Sequence, residues 1–299
     1  MRMTALVTAF SVSLAFSTLP LGAQGEPFWN SRPLSYWLSA LGEGPPESRV
    51  EAARGLSAIA MQHGGRVIDA ALPALSSSLA AGDPALRSAA ASALEQMGPL
   101  AEEAVDELLA IFENDHVDAV RRQAGLALTR VAPDAPSVIT VCARVLATDA
   151  DATVRQAAAA VLVQARAAAA PVAAVIATAA ASDGDPMVRV FACAAEAQLG
   201  KMPTAVKGLI AGLEDDDPGV RAEAAGFLGA IVPAQAAAVS PLTDALSDPE
   251  PIVRLAAVEA LATLGRPARP AIPTLWHLMR DPDESVRDSA VRAIHVIRD

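Results

Sequence analysis

Side chains suited to acid–base or metal chemistry are few and scattered along this chain. No Gly-rich phosphate loop, Gly-x-Ser-x-Gly elbow or Cys-x-x-Cys motif is present. The two cysteines, Cys142 and Cys193, are too few for a structural zinc site, and a disulfide between them is an alternative only in an oxidising compartment. The sequence therefore predicts no catalytic residue, no metal site and no cofactor, and it predicts that the chain is not an enzyme.

Arginine and acidic residues recur at a regular spacing, and this is the strongest chemical signal in the sequence. Each arginine follows a reference position, called slot 0 below, that holds valine in six of eight copies. The arginines are Arg49, Arg87, Arg121, Arg155, Arg189, Arg221, Arg254 and Arg287. Acids recur at slot −3 (Asp83, Asp151, Asp185, Asp217, Glu250 and Asp283) and at slot −5 (Glu43, Asp115, Asp149, Asp183, Asp215, Asp248 and Asp281).

These repeated charges have two interpretations. A guanidinium is a forked donor that is always charged, so it suits a carboxylate or a turn carbonyl near a helix end. Because acids lie only three to six residues upstream of each arginine, local structural pairing is the simpler interpretation. The alternative is a row of cations that binds a ligand.

The elements that position these charges are pairs of short helices. Slot +4 is alanine in all eight copies, and slot +8 is leucine or isoleucine in seven. Slots 0, +4 and +8 share one helical face, so each copy contains a helix with a small residue at the centre of its buried stripe. Asp-Pro pairs predict where this second helix starts, and Gly98, Gly200 and Gly265 predict where it stops. Eight copies of two helices give about 16 helices.

The pattern Leu-x-Asp-x-Asp-x-x-Val-Arg-x-x-Ala-x-x-x-Leu, clearest at 213–228 and 246–261, resembles the HEAT repeat. The likeness is greatest to the short bacterial type related to phycobilisome-lyase repeats, and it covers about residues 33 to 299. It implies an all-α fold, a right-handed α-solenoid of about eight helix pairs with the second helices on the concave side. Relatives of this kind include phycobilin lyases and deoxyhypusine hydroxylases, but the His-Glu pairs through which the hydroxylases bind iron are missing here.

The resemblance also implies a ladder of arginine and aspartate between adjacent repeats. Carried over to this chain, the ladder consists of Arg87, Arg121, Arg155, Arg189, Arg221, Arg254, Arg287, Asp83, Asp151, Asp185, Asp217 and Asp283.

Two places break the repeat pattern and are candidate partner-binding sites. Glu196 occupies slot +8, which is aliphatic in the other copies. A buried carboxylate without a partner is costly, so either the side chain reaches solvent or an arginine, or the position is a polar spot for a ligand. The second place is the aromatic segment of Phe28, Trp29, Tyr36 and Trp37, which is either a cap over the exposed end of the stack or a hot spot for a partner.

The N-terminus has the layout of an export signal. Arg2 precedes an uncharged, mostly apolar stretch from Ala5 to Leu21, and small residues end at Ala23. We therefore expect a signal peptide over 1–23, a solenoid over 24–299, an N-terminal capping repeat at 33–62 and a C-terminal repeat at 268–299. A retained membrane anchor is the alternative. Export predicts a periplasmic or extracellular location.

The charge and the surface shape lead to a functional prediction. The formal net charge of −11 repels phosphate backbones and anionic lipids, so nucleic acid is not an expected partner. A long surface of stacked helices suits a protein or peptide, which should be neutral or basic. The sequence thus predicts a non-catalytic binding scaffold with no membrane span after signal cleavage. The alternative is a lyase-like or hydroxylase-like enzyme built on the same repeats. The oligomeric state is not predicted.

Overall fold

The computed structural model describes residues 25–231 and 236–298, and this part of the chain is an all-α, right-handed solenoid of helix pairs. The segment predicted to be a signal peptide, 1–23, lies outside the described residues. Each repeat is a first helix followed by a second helix, and the first repeat is preceded by a short antiparallel hairpin.

Sixteen α-helices belong to the eight repeats in the described residues. Repeats 1 to 4 are α1 (Leu34–Glu43) and α2 (Pro46–His63), α3 (Arg66–Ser78) and α4 (Pro84–Met97), α5 (Val105–Asn114) and α6 (Asp118–Val131), and α7 (Pro136–Thr148) and α8 (Ala152–Ala165). Repeats 5 to 8 are α9 (Ala173–Ser182) and α10 (Pro186–Gln198), α11 (Met202–Gly212) and α12 (Pro218–Ala230), α13 (Ala236–Ala245) and α14 (Pro251–Leu264), and α15 (Ile272–Leu278) and α16 (Glu284–Arg298). Short 3-10 turns at Gly98–Ala104, Arg166–Val172 and Arg266–Ala271 precede α5, α9 and α15, and the hairpin strands are β1 (Phe28–Trp29) and β2 (Arg32–Pro33).

The predicted start and stop signals of the second helices are confirmed. Asp83 caps α4 by accepting a hydrogen bond from the Ala85 amide at 2.9 Å, with Pro84 at the first helical position. Gly98 and Gly265 end α4 and α14 with φ of 57° and 66°. Glycine adopts such positive φ values without strain, so a glycine at this position indicates where the second helix ends.

The core follows the three slots that the sequence singled out. All eight slot +4 alanines have no exposed surface: Ala52, Ala90, Ala124, Ala158, Ala192, Ala224, Ala257 and Ala290. Their small side chains let neighbouring helices approach closely. The same closeness is seen on α12, where a β-carbon on Gly229 would lie 2.5 Å from Ala260 Cα of α14.

The two rows of helices are packed differently. Second helices lie along most of their length against the second helices of the neighbouring repeats, whereas consecutive first helices meet at few positions. In a curved stack, the row of helices that are closer together lies on the inner side. The second helices therefore form the inner, concave surface of the solenoid, as the resemblance implied.

The junction between repeats 5 and 6 departs from this packing. There α11 lies along α10, whereas at the other junctions a second helix touches the next first helix only near its end. Gly208 and Gly212 of α11 permit this approach, since β-carbons on them would lie 2.3 Å from Cys193 Sγ and 2.9 Å from Val190 Cγ2. Three residues, Leu199–Lys201, connect these two helices. The buried residues accordingly form two hydrophobic clusters that meet at α10.

One stretch of the described residues, Ala152–Ser182, is long and apolar enough to cross a membrane by length and composition. It is not one helix, because the 3-10 turn Arg166–Val172 separates α8 from α9. Val154 and Leu162 of this stretch have no exposed surface. Of its most apolar window, 33 % is buried, and those residues belong to the core of repeats 4 and 5.

Candidate functional site

Five of the ladder arginines each join two repeats through one guanidinium, and Arg254 shows how. Arg254 donates from Nη1 to the carbonyls of Asp248 and Pro249 in its own turn, both at 2.9 Å. Its Nε and Nη2 atoms donate to the two carboxylate oxygens of Asp281 in the next repeat, both at 2.8 Å. Asp281 also accepts the amide of Asp283 at 2.9 Å. The pair is buried and each of the three guanidinium nitrogens donates at least one hydrogen bond, so this group holds the turn of one repeat to the turn of the next.

The same arrangement, called a rung below, occurs at five junctions of the described residues. The pairs are Arg87–Asp115, Arg121–Asp149, Arg155–Asp183, Arg221–Asp248 and Arg254–Asp281. The aspartates are those of slot −5, and they lie 27 or 28 residues after their arginines. This corrects the ladder expected from the resemblance. The slot −3 residues Asp83, Asp151, Asp185, Asp217 and Asp283 instead accept amide hydrogen bonds at the starts of the second helices.

The rungs hold their carboxylates in the charged form. The hydrogen bond from Arg254 lowers the pKa of Asp281 below its ordinary value, against the opposing effect of burial. For Asp115, burial alone would raise the pKa, but the hydrogen bonds from Arg87 and from the Val117 amide outweigh it and lower the pKa. These shifts are the signature of carboxylates engaged in structural ion pairs.

Three arginines of the series do not form a rung. Arg49 faces a repeat in which slot −5 is Ala81, and it donates to the Leu41 carbonyl at 2.8 Å. Arg287 belongs to repeat 8, and its Nη1 is bound to the Asp281 carbonyl at 2.8 Å. Arg189 differs from both, because the next repeat offers an aspartate, Asp215, yet no ion pair joins the two in the structure. Both residues fit the predicted pattern, so the missing ion pair between Arg189 and Asp215, called the open rung below, could not be predicted from residue types.

Glu196 lies in the core slot and is 8 % exposed. It lies at the end of α10 beside the first turn of α11, close to Thr204 and Lys201, and the Thr204 hydroxyl itself donates to the Lys201 carbonyl at 3.0 Å. Burial raises its pKa, and the contacts with Thr204 and Lys201 oppose this rise only in part. The polar partner that the sequence required therefore comes from the following repeat and is a threonine and a lysine rather than an arginine.

An aromatic pair lies at the same junction and was not found from the sequence. The rings of Phe191 on α10 and Phe227 on α12 are 5.2 Å apart at 77°, an edge-to-face contact. Phe227 occupies slot +7, where the other copies have glycine, alanine or one valine. Comparing slot +7 across the copies would have revealed it. A ring in this position keeps α12 from approaching α10 as α14 approaches α12.

Of the four N-terminal aromatic residues, Trp37 is buried, Trp29 is partly buried, and Phe28 and Tyr36 are exposed. Trp37 is 2 % exposed, and its indole donates to the Trp29 carbonyl at 3.2 Å. Both indoles lie over Gly55 of α2, where a β-carbon would come within 3.0 Å of either ring. Phe28 is 65 % exposed and Tyr36 is 38 % exposed. The tryptophans thus cover the end of the stack, while Phe28 and Tyr36 face solvent.

The hairpin that carries these rings is held by its turn and by one acid. Asn30 and Ser31 have φ of 50° and 60°, the two positive values that a tight type I′ turn requires. Glu26 accepts the Ser35 amide at 2.7 Å and the Ser35 hydroxyl at 2.8 Å, which caps the first turn of α1. Trp29 is therefore placed over α2 by a fixed turn rather than by a loose tail.

The histidines and cysteines form no cluster in the described residues. No group of three or more His, Cys, Asp or Glu side chains there lies close enough to hold a metal ion. Cys142 and Cys193 are both buried and free, so no disulfide joins them. Burial raises the pKa of Cys193 to about 11, so its thiol stays protonated at neutral pH.

Several solved structures are similar to this solenoid. The complex of CpcE and CpcF of phycocyanin lyase from Nostoc sp. PCC7120 aligns with a TM-score of 0.57 at 22 % identity, over 94 % of this chain and 98 % of that chain. The AP-3 complex in an intermediate open conformation gives 0.60 at 16 % identity, over 89 % of this chain and 51 % of that one. Kap95p, from a structure with RanGDP, gives 0.52 at 15 % identity, over 89 % and 41 %. No curated protein matches the chain.

The lyase comparison corrects one expectation. The prediction that this chain is not an enzyme is wrong, because it treated a regular solenoid without a local catalytic motif as non-catalytic. A phycocyanin lyase is built on the same architecture over nearly its whole length. The fold therefore gives no ground for excluding catalysis.

The match to a family model agrees with the geometry described above. The HEAT repeats model matches residues 34–129, 140–225, 172–262 and 206–295, which together include nearly all of the described residues. The matched segments carry the buried alanine slot and the rungs. This chain belongs to the HEAT-repeat family.

Proposed function

We propose that the chain binds a protein partner along the inner surface formed by its second helices. The observation that carries this proposal is the row of polar side chains at slot +2 of repeats 2 to 4, which is uninterrupted from Ser88 through Arg122 to Gln156. These side chains are exposed or half-buried on the inner surface. Hydroxyl, amide and guanidinium groups at one-repeat intervals suit the polar groups of an extended polypeptide.

The comparisons give this proposal support of a general kind. CpcE and CpcF are described as a complex with each other, and Kap95p is described as binding RanGDP. Solenoids of this fold thus engage other proteins. The formal net charge of −11 favours a partner that is neutral or basic.

A photo-crosslinking experiment tests the inner surface directly. A benzoylphenylalanine is placed at Gln156 on the inner surface, and the matched control is the same residue at Thr140, which is exposed on the first helix α7 of the same repeat. Irradiated cells that express the chain should yield a protein adduct from position 156 and none from 140. An adduct from 140 alone, or none from either position, would overturn the proposal.

We also propose that this binding takes place outside the cytoplasm. Support comes from the sequence of the first 23 residues, with Arg2 before an apolar stretch that ends in small residues. The protein purified from the envelope or the medium should begin at Gln24, as measured by intact mass and N-terminal sequencing. A chain that retains its first residues and fractionates with the cytoplasm would contradict export.

A lyase-like enzyme is the second candidate, favoured by the full-length likeness to the CpcE–CpcF complex. A lyase of that class would have to hold a chromophore as well as its protein substrate. The purified chain is therefore mixed with a free bilin, and the visible absorption is recorded against serum albumin as a control for nonspecific uptake. A shifted and sharpened band that titrates to one bilin per chain supports this candidate, and a spectrum like that of the control removes it.

A further inference from the structure

We propose that the solenoid bends at the junction of repeats 5 and 6, and that Arg189 and Asp215 form a rung across this junction when its two halves close. The halves are residues 34–198 and residues 202–298. The proposed bend is a property of the free chain, so it can be tested without any partner protein.

Both members of the missing rung are already held in the geometry that rungs use. Arg189 donates from Nη1 to the carbonyls of Asp183 and Gly184 at 2.9 and 3.4 Å, as rung arginines bind their own turns. Asp215 accepts the Asp217 amide at 3.0 Å, as rung aspartates do. The guanidinium and the carboxylate are thus oriented like those of the neighbouring rungs, and only the separation of the two turns keeps them apart.

The core gives a second, independent reason to place the bend here. Val188 and Ala192 of α10 belong to the cluster of repeats 1 to 5, whereas Val190 and Cys193 belong to that of repeats 6 to 8. The two clusters therefore meet on α10, and Ala180 of α9 packs against both. A close-packed interior resists bending, so a solenoid should bend where its packing is interrupted.

The contact between α10 and α12 allows such movement. At the next junction, Gly229 lies so close to Ala260 that the backbones themselves are in contact. Between α10 and α12, the helices are instead in contact through two side chains, the edge-to-face rings of Phe191 and Phe227. Two rings that meet edge to face can slide and tilt without opening a cavity, whereas backbones in contact cannot. The contact between α10 and α12 is thus loose, while α11 stays packed along α10 and would move together with it or slide against it.

Distances between spin labels on the inner surface measure this bend. Slot +2 offers four matched positions, Ser88, Gln156, Ala222 and Asp288, each two repeats from the next. The pairs 88–156 and 222–288 lie within one half, and 156–222 spans the junction. Labels are attached to cysteines introduced pairwise at these positions. The native cysteines are buried, so they should not compete for the label.

The expected result is a narrow distance distribution within each half and a broad or two-peaked one across the junction. Asp215→Asn should deplete the shorter distances of the 156–222 pair. The control Asp183→Asn removes a closed rung inside one half and should leave that distribution unchanged. A 156–222 distribution as narrow as the other two, or one that Asp215→Asn does not alter, would overturn the proposal.

Discussion

An arginine at slot +1 binds its own turn and the next repeat with different faces of one planar group. Nη1 donates to the turn carbonyls, which fixes the side chain within its own repeat. The remaining edge, Nε and Nη2, then matches the two oxygens of a carboxylate. Lysine, which has a single nitrogen, could not serve both sides.

Paired alanine substitutions isolate the contribution of the carboxylate. Arg155 forms a closed rung with Asp183, whereas Arg189 makes only the two bonds to its own turn. Arg155→Ala should lower the free energy of unfolding by about 1–3 kcal/mol, because Asp183 stays largely buried and loses the two hydrogen bonds that Arg155 donates. Arg189→Ala should cost clearly less. Urea unfolding of both variants measures the difference, and equal losses would contradict the open rung.

The rung at Asp281 should make stability depend on acid. Arg254 lowers the pKa of Asp281 from its ordinary 3.8, so the ionised carboxylate stabilises the folded state. That stabilisation is present above the ordinary pKa and is lost as the pH falls through the lowered one. Asp281→Asn should therefore be less stable than the parent at neutral pH, and the gap should close in acid. Melting temperatures of both proteins across a pH series provide the measurement, and a gap independent of pH would argue against a charged pair.

Glu196 should show the opposite dependence. Burial raises its pKa, so its contribution to stability is present below the ordinary value of 4.5 and is lost as the pH rises through the raised one. Glu196→Gln keeps the shape and a polar oxygen and removes the buried charge, so this variant should be more stable than the parent at pH 7. Loss of the photo-crosslinked adduct despite unchanged or higher stability would show that Glu196 contacts the partner.

At the scale of the element, α12 carries two glycines in different surroundings. A β-carbon on Gly229 would meet the backbone of Ala260, whereas one on Gly226 would meet open space. Gly226→Ala should stabilise the protein by about 0.5–1 kcal/mol, because alanine is the better helix former. Gly229→Ala should destabilise it, since α12 and α14 would have to separate. Thermal unfolding of the two variants tests both expectations. A Gly229→Ala variant as stable as the parent would show that the contact between α12 and α14 is loose.

The helices were predictable from the sequence because their signals are local. Asp83 and Pro84 lie at the start of α4 and Gly98 lies at its end, so each signal involves only neighbouring residues. Ala90 lies on the buried face of the same helix. The partner of Arg87 was not predictable in the same way. Asp115 lies 28 residues away, and nearer acids compete for the assignment. Only the stacking of repeats decides between them.

The candidate site was harder to predict than the fold. Glu196 stood out because it broke a pattern, but its partner Thr204 lies on the next helix. The open rung at Arg189 keeps the pattern, and it lies where α11 packs along α10 and where the rings of Phe191 and Phe227 meet between α10 and α12. A rule read from one repeat cannot include an effect that arises between two.

For the whole molecule, the divided core predicts unequal coupling between its two ends. Repeat stability spreads mainly through nearest-neighbour contacts, which are weakest between α10 and α12. Leu94→Ala and Leu261→Ala each remove a fully buried side chain, one from each cluster, and each should cost about 2–5 kcal/mol locally. Hydrogen exchange followed by mass spectrometry should show faster exchange mainly in the half that carries the substitution. Equal acceleration in both halves would indicate one cooperative unit.

The rungs have a consequence for how such a protein can change length during evolution. Every rung aspartate occupies the same slot, so each arginine would find the same carboxylate if a whole repeat between them were lost or duplicated. Deleting repeat 4 in register would bring Arg121 to Asp183 in place of Asp149. An insertion of a few residues between an arginine and its aspartate would instead shift the register of that rung. Genes for such solenoids are thus free to grow or shrink by whole repeats, and selection should act against other steps.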